Sequence, residues 1–467
     1  MKIVLIYPYE KKCYSGCNPP ISLLYLAASL LKNNYEVKVI DIDEDNQSFY
    51  DIITFLKGYS PDLIGIPMFS NTMHLAYRFV DLLFSQKQEW QLVIGGPHPS
   101  ARAQDVLTKF DKCNFVLRGE SEDSIVNLVK CMESNDDFST VYGLSYRSGN
   151  EIIHNPDVVL NNKIDDIPFP ARELLDSAYK SNTYWRIGHK KTTDIIITSR
   201  GCPHKCNFCF KVAKTFRCRS PENIIEELIQ IRSKGIKSVH IMDDLFTSNK
   251  SRCFKILNLI NEQKLGMEFK VRARVDLISE ELLIGLKNAG VKSVVYGIES
   301  GAQEMLDLMN KKTTVEMNYN AIALTKKVGL QCYADVLIGY PGETPKTILE
   351  TEQLLLKAKP TAVNISIMYP FPNTASCNQA EKEGTLINEW NINGAQPWIK
   401  LPWINEKKEL EQYRKDVLRR YLLNPIVIFN VIRLILIKSN FQQLRIITKY
   451  FLYYIVKFKK IRANSGF

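Results

Sequence analysis

Short, apolar, β-branched runs alternate along the chain with stretches whose apolar positions recur every three to four residues. Runs at 2–7, 37–41, 63–67, 92–94 and 115–117 predict strands, and stretches at 21–31, 49–56, 75–84 and 122–132 predict amphipathic helices. Such alternation argues for a doubly wound parallel sheet, which takes its ligands at the carboxyl ends of strands near the switch in strand order. The loops at those ends are 8–20, 68–72 and 95–99, the last reading Gly95-Gly96-Pro97-His98-Pro99. Paired glycines let backbone approach a flat ligand closely, although Gly-Gly after a strand is more often a plain loop.

Residues 139–156 read as a hairpin turning at Ser148-Gly149-Asn150, and the Pro-interrupted stretch 164–172 is incompatible with regular helix. Strand and helix then alternate six times. The strands fall at 194–199, 238–242, 269–275, 293–297, 333–338 and 362–368, with helices at 221–234, 254–263, 280–288, 315–328 and 347–357. Six β/α units predict a partial TIM-like barrel with its functional groups at the carboxyl ends of the strands. The fold class is therefore α/β. A first domain spans 1–138, a linker 139–185, a barrel 186–400 and a helical tail 401–467.

Length and composition fit this division: 467 residues exceed one ordinary core, and 45% hydrophobic residues with no low-complexity tract exclude a disordered chain. Eleven unevenly spaced cysteines, with a strand opening directly at Met1, suggest reduced thiols in a cytoplasmic protein. The charge is lopsided. From Arg414 onward twelve basic residues face the single acid Asp416, a surplus equal to the whole chain's net charge of +11. No apolar run in the tail approaches the ~20 residues needed to span a bilayer. Its apolar stretches, 426–438 and 446–456, are studded with Lys and Arg and suit helices lying on an anionic membrane surface; packing on the barrel or a partner suits them equally. No nucleic-acid partner is expected, because no binding fold accompanies the charge.

The strongest chemical signal is Cys202, Cys206 and Cys209, at C-x3-C-x2-C spacing just after the first barrel strand. A four-iron cluster ordinarily takes four cysteines. Three would leave one iron open, and an open position marks chemistry rather than scaffolding. A zinc knuckle completed by His204 or Cys218, or plain structural cysteines, are the competing readings. Carboxylates and arginines cluster at other strand ends. Asp243 and Asp244 follow the second barrel strand, where adjacent buried carboxylates would be relieved by an ammonium ligand or would serve as a helix cap. Lys270, Arg272, Arg274 and Asp276 alternate along the third strand, placing four charges on one face that call for anionic partners or cross-strand salt bridges.

The cysteine loop resembles that of the radical S-adenosylmethionine (SAM) superfamily. Together with Arg118-Gly119-Glu120, Gly95-Gly96-Pro97-His98 and Gly339-Tyr340-Pro341-Gly342-Glu343-Thr344, the chain resembles its cobalamin-binding branch of anaerobic cyclases and methyltransferases. The resemblance covers roughly residues 1–375 and implies three cofactors: a 4Fe-4S cluster on Cys202, Cys206 and Cys209, SAM, and cobalamin. It implies that Asp243 and Asp244 contact the SAM amino group, Arg274 (in preference to Arg272) its carboxylate, and Glu299 its ribose. Backbone at Ile338 and Gly339 would contact adenine. Ser70, Asn71, Thr72, Gly95 and Gly96 would surround cobalamin. After the first strand the chain reads Tyr9-Glu10-Lys11-Lys12-Cys13 where some cobalamin proteins carry an Asp-x-His-x-x-Gly signature, so a cobalt without histidine is implied. His74 and His98 read more readily as loop or surface histidines. The family pattern departs at Asn373, where glycine is common.

The implied activity is methylation of an unactivated carbon in a small or lipid-like substrate through a 5′-deoxyadenosyl radical, with flavodoxin or ferredoxin as electron donor. A radical cyclase or rearrangement without methyl transfer, and a nonenzymatic corrinoid or metal-binding protein, are the alternatives.

Overall fold

The computed structural model describes residues 1–8, 16–42, 48–86, 89–186, 192–213, 215–388, 390 and 396–429. In the first domain, β1 (Lys2–Tyr7), β2 (Glu36–Asp41), β3 (Leu63–Pro67), β4 (Leu92–Gly95) and β5 (Phe115–Leu117) pair in parallel in the order β2-β1-β3-β4-β5. Helices cover this sheet, so a central strand such as β3 is apolar throughout and buried at every residue. The order reverses between β1 and β3, which puts the ligand-binding crevice at their carboxyl ends.

The hairpin expected in the linker forms β6 (Leu144–Ser148) and β7 (Glu151–His154). Strand β6 pairs antiparallel with β5, so the hairpin closes the far edge of the first sheet instead of spacing the domains. Covering an edge in this way removes a template for unwanted pairing.

The second sheet holds β8 (Thr193–Ile196), β9 (Ser238–Ile241), β10 (Glu268–Ala273), β11 (Val291–Glu299), β12 (Gln331–Ile338) and β13 (Ala362–Ile367), parallel and in chain order. This is the six-unit partial barrel. Along β10 the buried Phe269, Val271 and Ala273 alternate with half-buried Lys270 and Arg272, so one face packs on helices and the other carries charge into the barrel. One continuous apolar core runs from β1 through the helix Ile21–Lys32 into the barrel strands. Beneath the junction a buried ionic set ties the linker to the barrel. Arg172 reaches Asp194 (2.5 Å) and Glu227 (2.7 Å), Arg219 also reaches Glu227, and the Tyr179 hydroxyl donates to Asp194 (2.8 Å). Buried charges persist only when matched in this manner.

In the tail, the helix Lys407–Leu422 packs on the barrel, burying Leu410, Val417 and Tyr421. Arg420 grips Glu352 with Nε at 2.5 Å and Nη2 at 2.7 Å, and the Tyr421 hydroxyl donates to the Pro360 carbonyl. That part of the basic tail therefore serves the fold. Most of the stretches 426–438 and 446–456 lies outside the described residues. Among the described residues no helix is long and apolar enough to cross a membrane.

Candidate active site

The carboxyl ends of both sheets open onto one cavity of about 760 Å³. Ser70, Asn71, Gly95 and Gly96 line it from the first domain; Phe208, Cys209, Lys211 and Asp244 line it from the barrel. The two domains are locked around it. Arg200, two residues before Cys202, reaches Glu120 (2.9 Å) and Glu122 (2.6 Å) of the first domain, and Arg217 also grips Glu120.

The cysteine loop is held from several sides. Gly201 has φ +78°, and a Cβ there would lie 2.4 Å from the Thr215 carbonyl, so only glycine lets the chain turn into the loop. The Lys211 ammonium donates to the carbonyls of Cys202 (2.7 Å) and His204. The Asn207 amide nitrogens donate to Met309 (3.0 Å, backbone) and Leu308 (2.9 Å, side chain), while Asn310 donates to the Lys205 carbonyl (2.7 Å). Cys202 and Cys206 are half-buried, and Cys209 opens onto the cavity. Burial pushes the Cys209 thiol up to about 11, with Asp244, Cys206 and Cys202 adding to the shift. Neighbouring thiols in such surroundings ionise readily only beside a cationic centre. Three thiols on one short loop, with the cavity on the far side, fit a cluster held from a single side. Among the described residues no three His, Cys, Asp or Glu side chains gather closely enough to hold a single metal ion.

The structure separates the predicted carboxylates. Asp243 is buried and turned into the barrel wall, where it accepts from Thr198 N (2.6 Å), Thr198 Oγ1 (2.5 Å) and Ser199 Oγ (2.7 Å). These bonds take three of its roughly four acceptor positions and tie the strand ends together, and it does not line the cavity, so the geometry lends no support to the expectation that it meets the SAM amino group. Asp244 faces the cavity. Its surface is open to the cavity, yet the protein around it displaces enough water to raise its carboxyl above the usual range, an effect eased by Arg272 and Lys211.

The arginines separate as well. Arg274, the expected carboxylate contact, is buried with its fork taken: Nε and Nη2 lie 3.0 Å from the two oxygens of Asp276, and Nη2 also donates to the Lys311 carbonyl (2.7 Å). Its remaining Nη1 points at Cys206 Sγ, 4.0 Å away. The preference for Arg274 over Arg272 is thus not supported by geometry. Arg272 is the more open guanidinium, paired with Asp335 at 2.6 Å. Glu299 ends β11 at φ +59°, a left-handed conformation that a non-glycine residue holds only under constraint. The constraint is Lys311, whose ammonium donates to Glu299 Oε1 at 2.7 Å. Gly339 (φ +84°) donates its amide to the buried Glu343, and burial pushes that carboxyl up to about 8.

In the first domain, Gly96 stands at φ +104° with a hypothetical Cβ 3.0 Å from the Met68 carbonyl, so the Gly-Gly loop lies flat against β3's exit. Ser70 is buried, with its hydroxyl 3.0 Å from His98 Nδ1 and its carbonyl accepting from Tyr369 Oη (2.7 Å). Asn71 lines the cavity, and the buried Thr72 hydroxyl has no hydrogen-bond partner among the described residues. His98 is buried, and burial beside Arg102 and Lys109 lowers it to about 4. Neither His98 nor His74 lines the cavity. Residues 9–15, where the Asp-x-His signature is replaced, lie outside the described residues.

Residues 11–129 match the B12 binding domain model, and residues 196–355 match the Radical SAM superfamily model. The chain belongs to the cobalamin-binding branch of the radical SAM superfamily. This radical SAM enzyme is 28% identical over 451 residues to an uncharacterised methyltransferase of Pyrococcus horikoshii, with 95% of each chain covered. It is 25% identical over 436 residues to the anaerobic magnesium-protoporphyrin IX monomethyl ester cyclase of Cereibacter sphaeroides, covering 90% of this chain and 70% of that one. Among solved structures, the cobalamin-dependent SAM radical enzyme OxsB, with aqua-cobalamin and SAM bound, shares the fold. Its TM-score is 0.75 over 99% of this chain and 80% of that one, at 18% identity.

Sequence reasoning overlooked Lys211, Lys311 and the Arg200–Glu120 bridge. Each acts through a partner distant in sequence, or through a backbone carbonyl that no residue pattern marks.

Proposed function

We propose that this radical SAM enzyme transfers a methyl group to an unactivated carbon of a small or lipid-like substrate. One observation carries the reading: a single cavity is lined by both the Gly95–Gly96 platform and the last cysteine of the C-x3-C-x2-C loop. Methyl carrier and radical source would then meet one substrate in one place. Cys202, Cys206 and Cys209 would hold a cluster that, once reduced, would supply the electron for SAM cleavage, and cobalamin bound beside Gly95 and Gly96 would supply the methyl carrier.

The chain's own residues bind, orient and exclude water. Asp244 accepts the SAM ammonium, and Arg272 is the guanidinium within the barrel for its carboxylate. Glu299, braced by Lys311, accepts ribose hydroxyls, and the backbone at Ile338 and Gly339 borders adenine. Asn71, Thr72, Gly95 and Gly96 flank cobalamin, with Ser70 shaping the loop from beneath. Phe208 stands edge-on to Tyr340 (centroids 6.5 Å apart) and forms an apolar wall beside the loop. Flavodoxin or ferredoxin supplies the electron. A lipid-like substrate accords with Ile426 and Phe429, which are exposed just past the packed helix. Sedimentation with anionic vesicles, lost on truncation after Leu423, checks that contact.

The test is anaerobic reconstitution with cobalamin, SAM, a strong reductant and candidate substrates. Methyl transfer predicts 5′-deoxyadenosine, S-adenosylhomocysteine and a product heavier by one CH2. The likeness to the cyclase makes its chemistry the rival outcome: 5′-deoxyadenosine without the mass gain. Neither co-product would leave a nonenzymatic corrinoid protein.

A further inference from the structure

Two arginines two residues apart, Arg272 on β10 and Arg274 just past it, share a strand face but meet different surroundings. Arg272 is 43% exposed and reaches Asp335, whose other oxygen lies 3.3 Å from Asn364 Nδ2. Arg274 is 8% exposed, and three hydrogen bonds to Asp276 and the Lys311 carbonyl fix its plane. A guanidinium carries five donors in a rigid fork. With those bonds made on one side, the orientation of the remaining Nη1 is set, and it points at Cys206 Sγ.

The Lys311 carbonyl is itself anchored. Its loop accepts both Asn207 amide nitrogens at Met309 and Leu308, and Asn310 in the same loop donates to the Lys205 carbonyl. Lys205 and Asn207 flank Cys206. One rigid frame therefore holds the donor and the sulfur together, and the donor cannot swing toward a ligand in the cavity without breaking the Asp276 pair.

We propose that Arg274 is a positioning and tuning residue for the cluster, donating N–H···S to the Cys206 ligand, and does not bind the SAM carboxylate. This rests on Cys206 being a cluster ligand, as the proposed function has it. A cationic donor at a ligand sulfur stabilises the more negative, reduced cluster, so it raises the reduction potential. The structure gives this task to a guanidinium neutralised by Asp276, which leaves the dipole of the N–H bond while adding no net charge to the buried site.

The test uses the full-length chain with its cluster reconstituted and no SAM present, poised at successive potentials and read by electron paramagnetic resonance. Arg274→Gln is expected to retain iron and sulfide at the wild-type level and to shift the midpoint to more negative potential. Arg272→Gln is expected to leave the midpoint in place while weakening SAM binding, measured separately by equilibrium dialysis. If Arg274→Gln fails to hold iron, Asp276→Asn, which removes the neutralising charge but keeps the arginine at Cys206, should shift the midpoint to more positive potential. A wild-type midpoint in whichever of these variants holds iron overturns the proposal, as does a loss of SAM affinity confined to Arg274→Gln. Failure of the wild-type chain to take up any cluster would instead remove the proposed function itself, before any variant is compared.

Discussion

Asp243 and Asp244 are adjacent and chemically identical, yet one is structural and the other faces the cavity. Successive residues of an extended chain point to opposite sides, so a carboxylate pair at a strand end is divided by geometry. Asp243 accepts from Thr198 and Ser199, whereas Asp244 lines the cavity, where the proposed function gives it the SAM ammonium. Replacing Asp244 with Asn should weaken SAM binding about tenfold or more, since a hydrogen bond to a charged group contributes about 1.5–3 kcal/mol. Asp243→Asn should instead lower the thermal midpoint. The pH dependence has a definite sign. Burial raises the Asp244 carboxyl, so below its displaced value it is protonated and cannot attract an ammonium. SAM affinity should therefore rise with pH through a step above the usual carboxylate range. Dialysis at a series of pH values should find that step in the wild type and a flat profile in Asp244→Asn.

At the scale of elements, the alternation of apolar runs was enough to place both sheets; all six barrel strands overlap the expected runs, although the first ends at Ile196 and Ser199 pairs with Cys218 in a separate two-stranded sheet. Central strands of the first sheet are legible because burial on both faces demands continuous apolar residues, and barrel strands such as β10 because an apolar residue recurs at every second position. The exits of those strands are less so. Glu299 was identifiable as a lone carboxylate, but its left-handed backbone and its Lys311 partner come from a bulge between Gly297 and Glu299 that no local pattern announces. Gly297 makes the bulge possible. A Cβ there would lie 2.4 Å from Glu299 Oε1 and 2.9 Å from Lys311 Nζ. Gly297→Ala should displace the Glu299–Lys311 pair and reduce SAM affinity several-fold while the cluster's iron content stays at the wild-type level. Loss of neither would remove Glu299 from the SAM site. The helix Lys407–Leu422 was legible as a helix but not as barrel packing, because its burial rests on three residues, Leu410, Val417 and Tyr421, widely spaced among charges.

Across the whole molecule, the decisive feature is that the domains present their strand ends to each other. The sequence names each domain's loops but carries no signal for their juxtaposition; that depends on Arg200, Arg217, Glu120 and Glu122, which meet across 78 to 97 residues of chain. Side chains in this bridge are 6–14% exposed, so each lost partner leaves a largely buried charge. Glu120→Gln should loosen the shared cavity without unfolding either sheet. The expected result is faster loss of cobalamin on gel filtration, with the cluster retained. Cobalamin retention equal to wild type would mean that the bridge does not govern the cavity.

The central claim, that the three-cysteine loop holds a cluster with one position open toward SAM in this cavity, is met most directly by electron paramagnetic resonance of the reduced, reconstituted chain with and without SAM. The account predicts a cluster signal that changes when SAM is added and disappears when Cys202, Cys206 and Cys209 are replaced by Ala. A signal indifferent to SAM, or zinc in place of iron on those cysteines, would contradict it.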